Sequence, residues 1–340
     1  MHNPFLIGGL ALLAWVATWL GTWHLRRLAL RHDRLDEVNE RSSHIQPTPR
    51  GGGLSIVLVM AASIAAAPLY SSMPTNWAWS MTLGGLLVAL IGFVDDLNHV
   101  AARYRLAAHF GAASLVVWTV GSVTLDWIGL GWPPFETFVS VVMIVWLINL
   151  FNFMDGIDGI ASSEAICVWI ALALIAQLTE PAWGLTPLAI LAAASIAGFL
   201  VWNRPPARIF MGDVCSGFLG FVLGSLVVAA WQTSPHLGIA GLILLAVFVT
   251  DATVTLLVRL MRRERIYEAH RSHAYQILAR RWDSHRKVTI AAIFLTLGWL
   301  LPLAYLVAAG RLQIILGLLA AYVPLACGAL AVGAGRGQSN

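Results

Sequence analysis

Residues 4–31 read PFLIGGLALLAWVATWLGTWHLRRLALR, and the order of charge along this stretch decides what solvent the fold is built for. From Pro4 to Leu25 there is no Lys, Arg, Asp or Glu, and about 20 mainly apolar residues suffice to cross a bilayer as a helix. No Lys or Arg precedes the run, whereas Arg26, Arg27 and Arg31 follow it at once. That is the reverse of the basic-then-apolar order of a secretory signal peptide. The stretch is therefore expected to be a retained first helix with its N-terminus outside.

Ten further runs of the same kind follow: Leu54–Tyr70, Trp77–Val94, Leu106–Val123, Thr137–Leu150, Ala161–Leu178, Trp183–Trp202, Val214–Trp231, Leu237–Val258, Val288–Ala308 and Leu312–Val332. The expected fold class is all-α, a polytopic transmembrane bundle of about 11 helices forming one membrane domain over residues 1–340. Composition agrees. Of 340 residues 59% are hydrophobic and 11% charged, against roughly a quarter charged in soluble domains, and the mean hydropathy is +0.77. Cys167, Cys215 and Cys327 lie in or beside apolar runs, in a spacing that fits neither a disulfide framework nor a zinc site. Trp77, Trp79, Trp183, Trp202, Trp231 and Trp282 fall near the ends of runs, as an interfacial aromatic belt requires.

An external N-terminus puts the segments 26–53, 95–105, 151–160, 203–213, 259–287 and the C-terminal tail in the cytoplasm. These hold 20 of the 21 Lys and Arg residues, only Arg311 falling outside. The positive-inside rule selects that orientation. The net charge of +4 sits in short loops that set topology, so nucleic acid is not an expected partner. The partner read from composition is the lipid bilayer.

Acids gather on the same side. Asp126, Glu136 and Glu180 are external and Asp251 is within a run; the other 13 of 17 Asp and Glu lie in or within a turn of the cytoplasmic loops. Asp95 and Asp96 are adjacent and repel unless a cation lies beside them; Mg²⁺ with substrate phosphate is the usual remedy, an ordinary acidic helix end the alternative. In Asn149-Leu-Phe-Asn-Phe-Met-Asp-Gly-Ile-Asp-Gly, Asp155 and Asp158 are three apart and would share one face of a helical turn. This loop has no basic residue to neutralise them. Asp213, in Phe210-Met-Gly-Asp-Val-Cys-Ser-Gly, can serve a ligand or cap a helix.

The basic loop Arg262–Lys287 contains His270-Arg271-Ser272-His273-Ala274-Tyr275-Gln276. Its Arg and His donors suit diphosphate oxygens, though part of the loop reads equally as a cluster contacting anionic lipid. In Asn39 to Gly53, three glycines open an apolar run and could offer backbone N–H groups to an anion; the order is not that of an ATP-hydrolysing P-loop.

Together the motifs RSSHIQPTPRGGG (41–53), GFVDDLNHV (92–100), NFMDGIDGIAS (152–162), FMGDVCSGFLG (210–220) and HRSHAYQ (270–276) resemble the polyprenyl-phosphate N-acetylhexosamine-1-phosphate transferases. That family includes the phospho-MurNAc-pentapeptide translocase and the GlcNAc-1-phosphate transferases that initiate O-antigen and related glycans. The resemblance implies transfer of a sugar 1-phosphate from a UDP-N-acetylhexosamine to undecaprenyl phosphate with release of UMP. It implies Mg²⁺, or Mn²⁺ in its place, and a multi-pass protein of the bacterial inner membrane; a homodimer stays open.

By the same resemblance Asp95, Asp96 and Asp155 are the catalytic candidates, Asp95 binding or deprotonating the lipid phosphate and Asp155 considered as a nucleophile. Asp96 and Asp213 are the metal candidates. Asn152, Asp158, His44, Arg50, His270, Arg271 and His273 are the substrate-binding candidates. The lysines of the translocase branch are replaced by Arg41, His44 and Arg50, and its triple-histidine loop by HRSHAYQ. Both features look more like the O-antigen branch, including enzymes for N-acetylfucosamine or N-acetylquinovosamine. Direct attack by the lipid phosphate is expected, a covalent Asp155 intermediate being the rival. The alternative from another class is a transporter or flippase for lipid-linked or nucleotide sugars, which places ionisable groups at mid-membrane; here only Asp251 lies well inside a run.

Overall fold

The structure is a computed structural model describing residues 4–32, 35–36, 47–98, 100–264 and 270–336. Among the described residues it is all-α apart from one two-residue antiparallel ladder, Leu35–Asp36 against Thr48–Pro49. The helices are α1 (Pro4–Arg31), α2 (Leu54–Ala66), α3 (Thr75–Leu97), α4 (Ala102–Val120), α5 (Pro133–Met154), α6 (Ile160–Thr179), α7 (Thr186–Asn203), α8 (Asp213–Thr233), α9 (Pro235–Leu244), α10 (Ala246–Met261), α11 (Ala274–Arg281), α12 (His285–Phe294), α13 (Leu301–Ala308) and α14 (Ile314–Val332). A π-helical segment, Leu295–Leu300, joins α12 to α13.

Each of the eleven apolar runs is helical, but fewer are continuous spans. Among the described residues eight helices are long and apolar enough to cross a membrane: α1, α3, α5, α6, α7, α8, the composite His285–Ala308 and α14. The run Leu237–Val258 is broken between α9 and α10 by a 65° bend and makes a ninth only if the pair counts as one. The second run has 13 residues of α-helix before the turn containing Pro68, about 20 Å of rise against a hydrocarbon core of about 30 Å. The fourth starts at Ala102 and so takes Arg103 and Arg105 into its first turn. The fifth is longer than its apolar run because Pro133 and Pro134 occupy the first turn of α5, where a missing N–H costs nothing.

The chain is a multi-pass membrane protein with α8 at its centre. Every residue from Val214 to Trp231 is buried, with α3 and α5 packed along it. Close approach requires glycine: a Cβ on Gly220 would lie 2.3 Å from the Leu147 carbonyl oxygen of α5, and one on Gly92 would lie 2.3 Å from the Asp213 carbonyl oxygen. Small residues at such crossings are how membrane helices gain packing when lipid is as apolar as their side chains. The outer helices α1 and α14 leave most of their surface exposed. Of the expected aromatic belt, Trp79 and Trp282 are exposed, but Trp183 and Trp231 are buried, Trp231 donating to Thr124 Oγ1 at 3.1 Å.

Candidate active site

The last turn of α3 carries Asp95 and Asp96, and the two carboxylates do different work. Asp96 is turned into the start of α8: its Oδ1 accepts the Asp213 N–H and its Oδ2 the Val214 N–H, both at 3.0 Å. The first N–H groups of a helix have no partner within it, and a carboxylate there also meets the positive end of the helix dipole. Asp213 is thus not its own helix's cap. That position is Gly212, at φ +83°, where a Cβ would come within 2.7 Å of Asp96 Oδ2. The Asp213 side chain is free to turn outward, where it accepts from Arg50 Nη2 and has Arg105 Nη1 3.8 Å from its Oδ2. Arg50 Nε also reaches Asp96 Oδ1 at 3.0 Å. Asp95 binds Arg105 and accepts the Val100 N–H at 2.8 Å.

Arg50 is delivered by the glycine segment. Gly52 N–H donates to the Phe210 carbonyl and Gly53 N–H to the Met211 carbonyl, both at 3.0 Å, and Phe210 N–H donates to the Pro49 carbonyl at 2.8 Å. The Gly52 and Gly53 donors are therefore spent on the chain and are not offered to an anion. A Cβ on Gly53 would lie 2.3 Å from Cys215 Cβ. The glycines let two loops lie flush and hold the guanidinium over the acids.

Asp155 follows the end of α5 and leaves helical geometry at φ −86°, ψ 40°, so the expected shared helical face for Asp155 and Asp158 is not formed. Asp158 is turned aside: its Oδ2 accepts the Ala207 N–H at 3.0 Å and lies 3.3 Å from His285 Nδ1, while its carbonyl accepts from Thr289 Oγ1. Burial pushes the Asp155 carboxyl well above the usual carboxylate range. Arg50 opposes that rise, and Asp213, Asp96 and Asp158 add to it.

The opposite wall comes from the start of α11. His270 and His273 stack with centroids 4.9 Å apart, and His273 lies over Phe153 at 6.2 Å. Burial, His273 and Arg259 lower His270 to about 3, so its ring is neutral at ordinary pH. The turn is fastened by Asp251 of α10, which accepts the Ala274 N–H at 2.9 Å and the Tyr275 N–H at 2.8 Å and lies 3.4 Å from His273 Nδ1. Tyr275 Oη donates to the Phe153 carbonyl at 2.9 Å, and a Cβ on Gly156 would sit 2.1 Å from that oxygen. Burial, with Asp251 and Asp155 beside it, pushes the phenol up and keeps it a donor. Arg271 is adjacent, its carbonyl accepting from Arg280 Nη2 at 2.9 Å. His44 lies outside the described residues.

Between these walls is a cavity of about 400 Å³, lined by Asp95, Arg105, Asn149, Asn152, Asp213, His270 and His273 among others. Arg50 and Asp96 face a second cavity of about 700 Å³ on the α1 side. Among the described residues no three of His, Cys, Asp and Glu converge to cage a metal. Asp213, with one-fifth of its side chain exposed, and the amides of Asn149 and Asn152 offer hard oxygens. Such a set fits a Mg²⁺ held by one or two carboxylates and completed by water and phosphate. The oxygens of Asp96 already accept from two N–H groups and Arg50.

Arg105, Asn149, Asp251 and Tyr275 escaped the sequence reading as site residues. Arg105 reads as a topology charge, and Asp251 as an intramembrane acid that either hydrogen-bonds neighbouring helices or supports the His-rich loop; the structure shows the second. Asn149 and Tyr275 stood within quoted motifs, which is the one signal that could have marked them.

Residues 78–231 match the model of glycosyl transferase family 4. This interval holds Asp95, Asp96, Asn152, Asp155, Asp158 and Asp213. The chain is 27% identical over 282 residues to a probable undecaprenyl-phosphate N-acetylglucosaminyl 1-phosphate transferase of Bacillus subtilis, covering 80% of this chain and 76% of the relative. It is 28% identical over 240 residues to the decaprenyl-phosphate N-acetylglucosaminephosphotransferase of Mycolicibacterium smegmatis, covering 64% of this chain and 59% of that protein. It is 28% identical over 238 residues to the phospho-N-acetylmuramoyl-pentapeptide-transferase of Thermodesulfovibrio yellowstonii, covering 60% and 65%.

Proposed function

Through residues 78–231 the chain belongs to glycosyl transferase family 4, and from that membership we propose that it transfers an N-acetylhexosamine 1-phosphate from a UDP-sugar to undecaprenyl phosphate. The products are undecaprenyl-diphosphate-sugar and UMP, the first step of an O-antigen or related surface glycan. The observation that carries this reading is the convergence of Asp95, Asp213, Arg105, Asn152, His270 and His273 on one cavity at one end of a membrane bundle. The relatives' names support a polyprenyl-phosphate acceptor and an N-acetylhexosamine phosphate as the group transferred.

An oxygen of the lipid phosphate attacks the phosphorus that bears the sugar; that P–O bond forms as the bond to the UMP oxygen breaks, and UMP leaves with the electron pair. Such transfer requires alignment and charge neutralisation more than covalent chemistry. Arg50 and Arg105 are placed to take phosphate oxygens from the carboxylates they now hold. Asp95 receives or deprotonates the acceptor phosphate, Asn152 orients the donor, and His270 and His273 bind the diphosphate or sugar with Arg271 beside them. Asp213 would hold Mg²⁺, which would supply positive charge to offset that of the phosphates. Asp155, its carboxyl pushed up by burial, is a weak nucleophile in this arrangement, which supports direct attack. An apolar cavity of about 360 Å³ reaching Asp251 and Tyr275 has room for prenyl units. The reactive face is cytoplasmic by the placement of 20 of 21 basic residues, in the inner membrane where nucleotide sugars meet the lipid.

The test is UMP release by purified protein supplied with undecaprenyl phosphate, Mg²⁺ and a panel of UDP-N-acetylhexosamines. Release with one or more sugars, lost on chelation, is the expected result. Absence of release with every sugar, where a homologue works, overturns the reading in favour of a transporter.

A further inference from the structure

A cavity of about 540 Å³ lies on the far side of the Asp155–Asp158 loop, between α1, α6, α7 and α12. Its mouth carries Arg204, just past the end of α7, and Arg286, in the first turn of α12. Both are exposed. Neither guanidinium enters an ion pair or hydrogen bond among the described residues, and no Asp or Glu lines the cavity. Most other cations at this end of the bundle are engaged: Arg50 and Arg105 with carboxylates, Arg259 and Arg262 with Glu264, and Arg280 and Arg281 with carbonyls.

Deeper in, the wall is mainly apolar, formed by Trp15, Leu200 and Ile290, with two buried residues bearing hydroxyls, Ser163 and Thr289, the latter donating to the Asp158 carbonyl at 3.2 Å. The leading N–H groups of α12 add positive potential at the mouth. Two uncommitted arginines above an apolar trough, beside helices that cross a membrane, match one molecule: a phosphate headgroup continuous with an acyl chain. A soluble phosphate would satisfy the mouth and leave the trough in contact with water.

We infer that this groove binds one anionic glycerophospholipid, its phosphate between Arg204 and Arg286 and an acyl chain along Trp15, Leu200 and Ile290. The site is separate from the reaction cavity, and the loop that leaves Asn152 and Phe153 of that cavity runs to Gly159 of this one. Gly159, which lines the groove, donates its N–H to Asn203 Oδ1 at 3.0 Å, and Asp158 beside it holds the Ala207 N–H and lies against His285, next to Arg286. The headgroup thus clamps α7 to α12 behind the loop that carries Asp155.

The experiment is native mass spectrometry of the full chain released from nanodiscs of equal phosphatidylglycerol and phosphatidylcholine. It reads lipid retention and needs no transferase activity, so its outcome is independent of the proposed reaction. One basic residue near anionic lipid is worth roughly fivefold, so retention of phosphatidylglycerol on the order of tenfold over phosphatidylcholine is expected. Arg204→Gln with Arg286→Gln brings the ratio to about parity, while Arg31→Gln with Arg103→Gln, equally basic and elsewhere, leaves it unchanged. Ala197→Trp, which fills the trough and keeps both charges, also abolishes the preference and decides the matter if the arginine variant does not fold. A wild-type ratio near one, an unchanged ratio in the folded double arginine variant, or displacement of the lipid by millimolar inorganic phosphate overturns the proposal.

Discussion

Asp251 Oδ2 accepts the backbone N–H of Tyr275 at 2.8 Å, across 24 residues of sequence. An acid buried in α10 thereby fixes the start of α11, and with it the angle at which His270 and His273 face Asp213. Hydrogen bonds to a charged acceptor contribute about 1.5–3 kcal/mol each. Asp251→Asn, which keeps one acceptor oxygen and loses the charge, is expected to lower kcat roughly tenfold, the equivalent of one such bond. Faster amide hydrogen exchange in the peptide covering 274–281 checks the cause.

Asp96 and Asp213 separate stability from chemistry. Asp96→Asn replaces a carboxylate that accepts three donors, and a loss of about 1–3 kcal/mol in unfolding free energy is expected. Asp213→Asn keeps one oxygen for Arg50 and leaves the Arg105 contact long at 3.8 Å, and the side chain accepts no backbone N–H among the described residues, so thermal stability stays near wild type while UMP release is abolished. Melting curves beside activity assays read both, and equal melting shifts in the two variants would sink the distinction.

Gly156 and Tyr275 should behave as a coupled pair. Gly156→Ala drives a methyl into the Tyr275 hydroxyl, and activity falls as the ring is displaced. Tyr275→Phe removes that oxygen and relieves the clash, so the double variant is more active than Gly156→Ala alone. The coupling free energy from the four-corner cycle is expected to be about 1–3 kcal/mol; additivity would show that the ring does not rest on this loop.

His270 titrates at about 3 in the folded protein and near 6.5 unfolded. Between those values the unfolded chain binds the extra proton, so stability is full above pH 6.5, falls as pH drops and levels off near pH 3. The ring is partly exposed, which reduces the effect to on the order of 1 kcal/mol between pH 7 and 5. His270→Gln flattens that slope, as melting temperatures across the range would report.

Periodicity and charge placement make the helices legible because the bilayer admits few alternatives: a long apolar run must close its own hydrogen bonds. Breaks are harder to read. At the bend Leu244, Leu245 and Ala246 are all ordinary helix formers, and the nearest glycine, Gly241, lies a full turn before it. The acids are legible as motifs, but their partners are not. Asp96 and Val214 are 118 residues apart, and nothing local says that one caps the other's helix. Likewise Arg105 reads as a positive-inside residue until it is seen bound to Asp95, and the glycines at 52 and 53 read as anion donors until Phe210 and Met211 claim them.

The backbone contact at Gly53, Gly92 and Gly212 has an evolutionary reading. Those three positions have no volume into which a side chain could grow, so the acid-bearing wall is closed to drift. Change in which donor is accepted has its room across the cavity, at Asn149, Phe153 and the turn through His270, where side chains meet side chains. One wall is fixed by backbone geometry, and the other has room for its side chains to change.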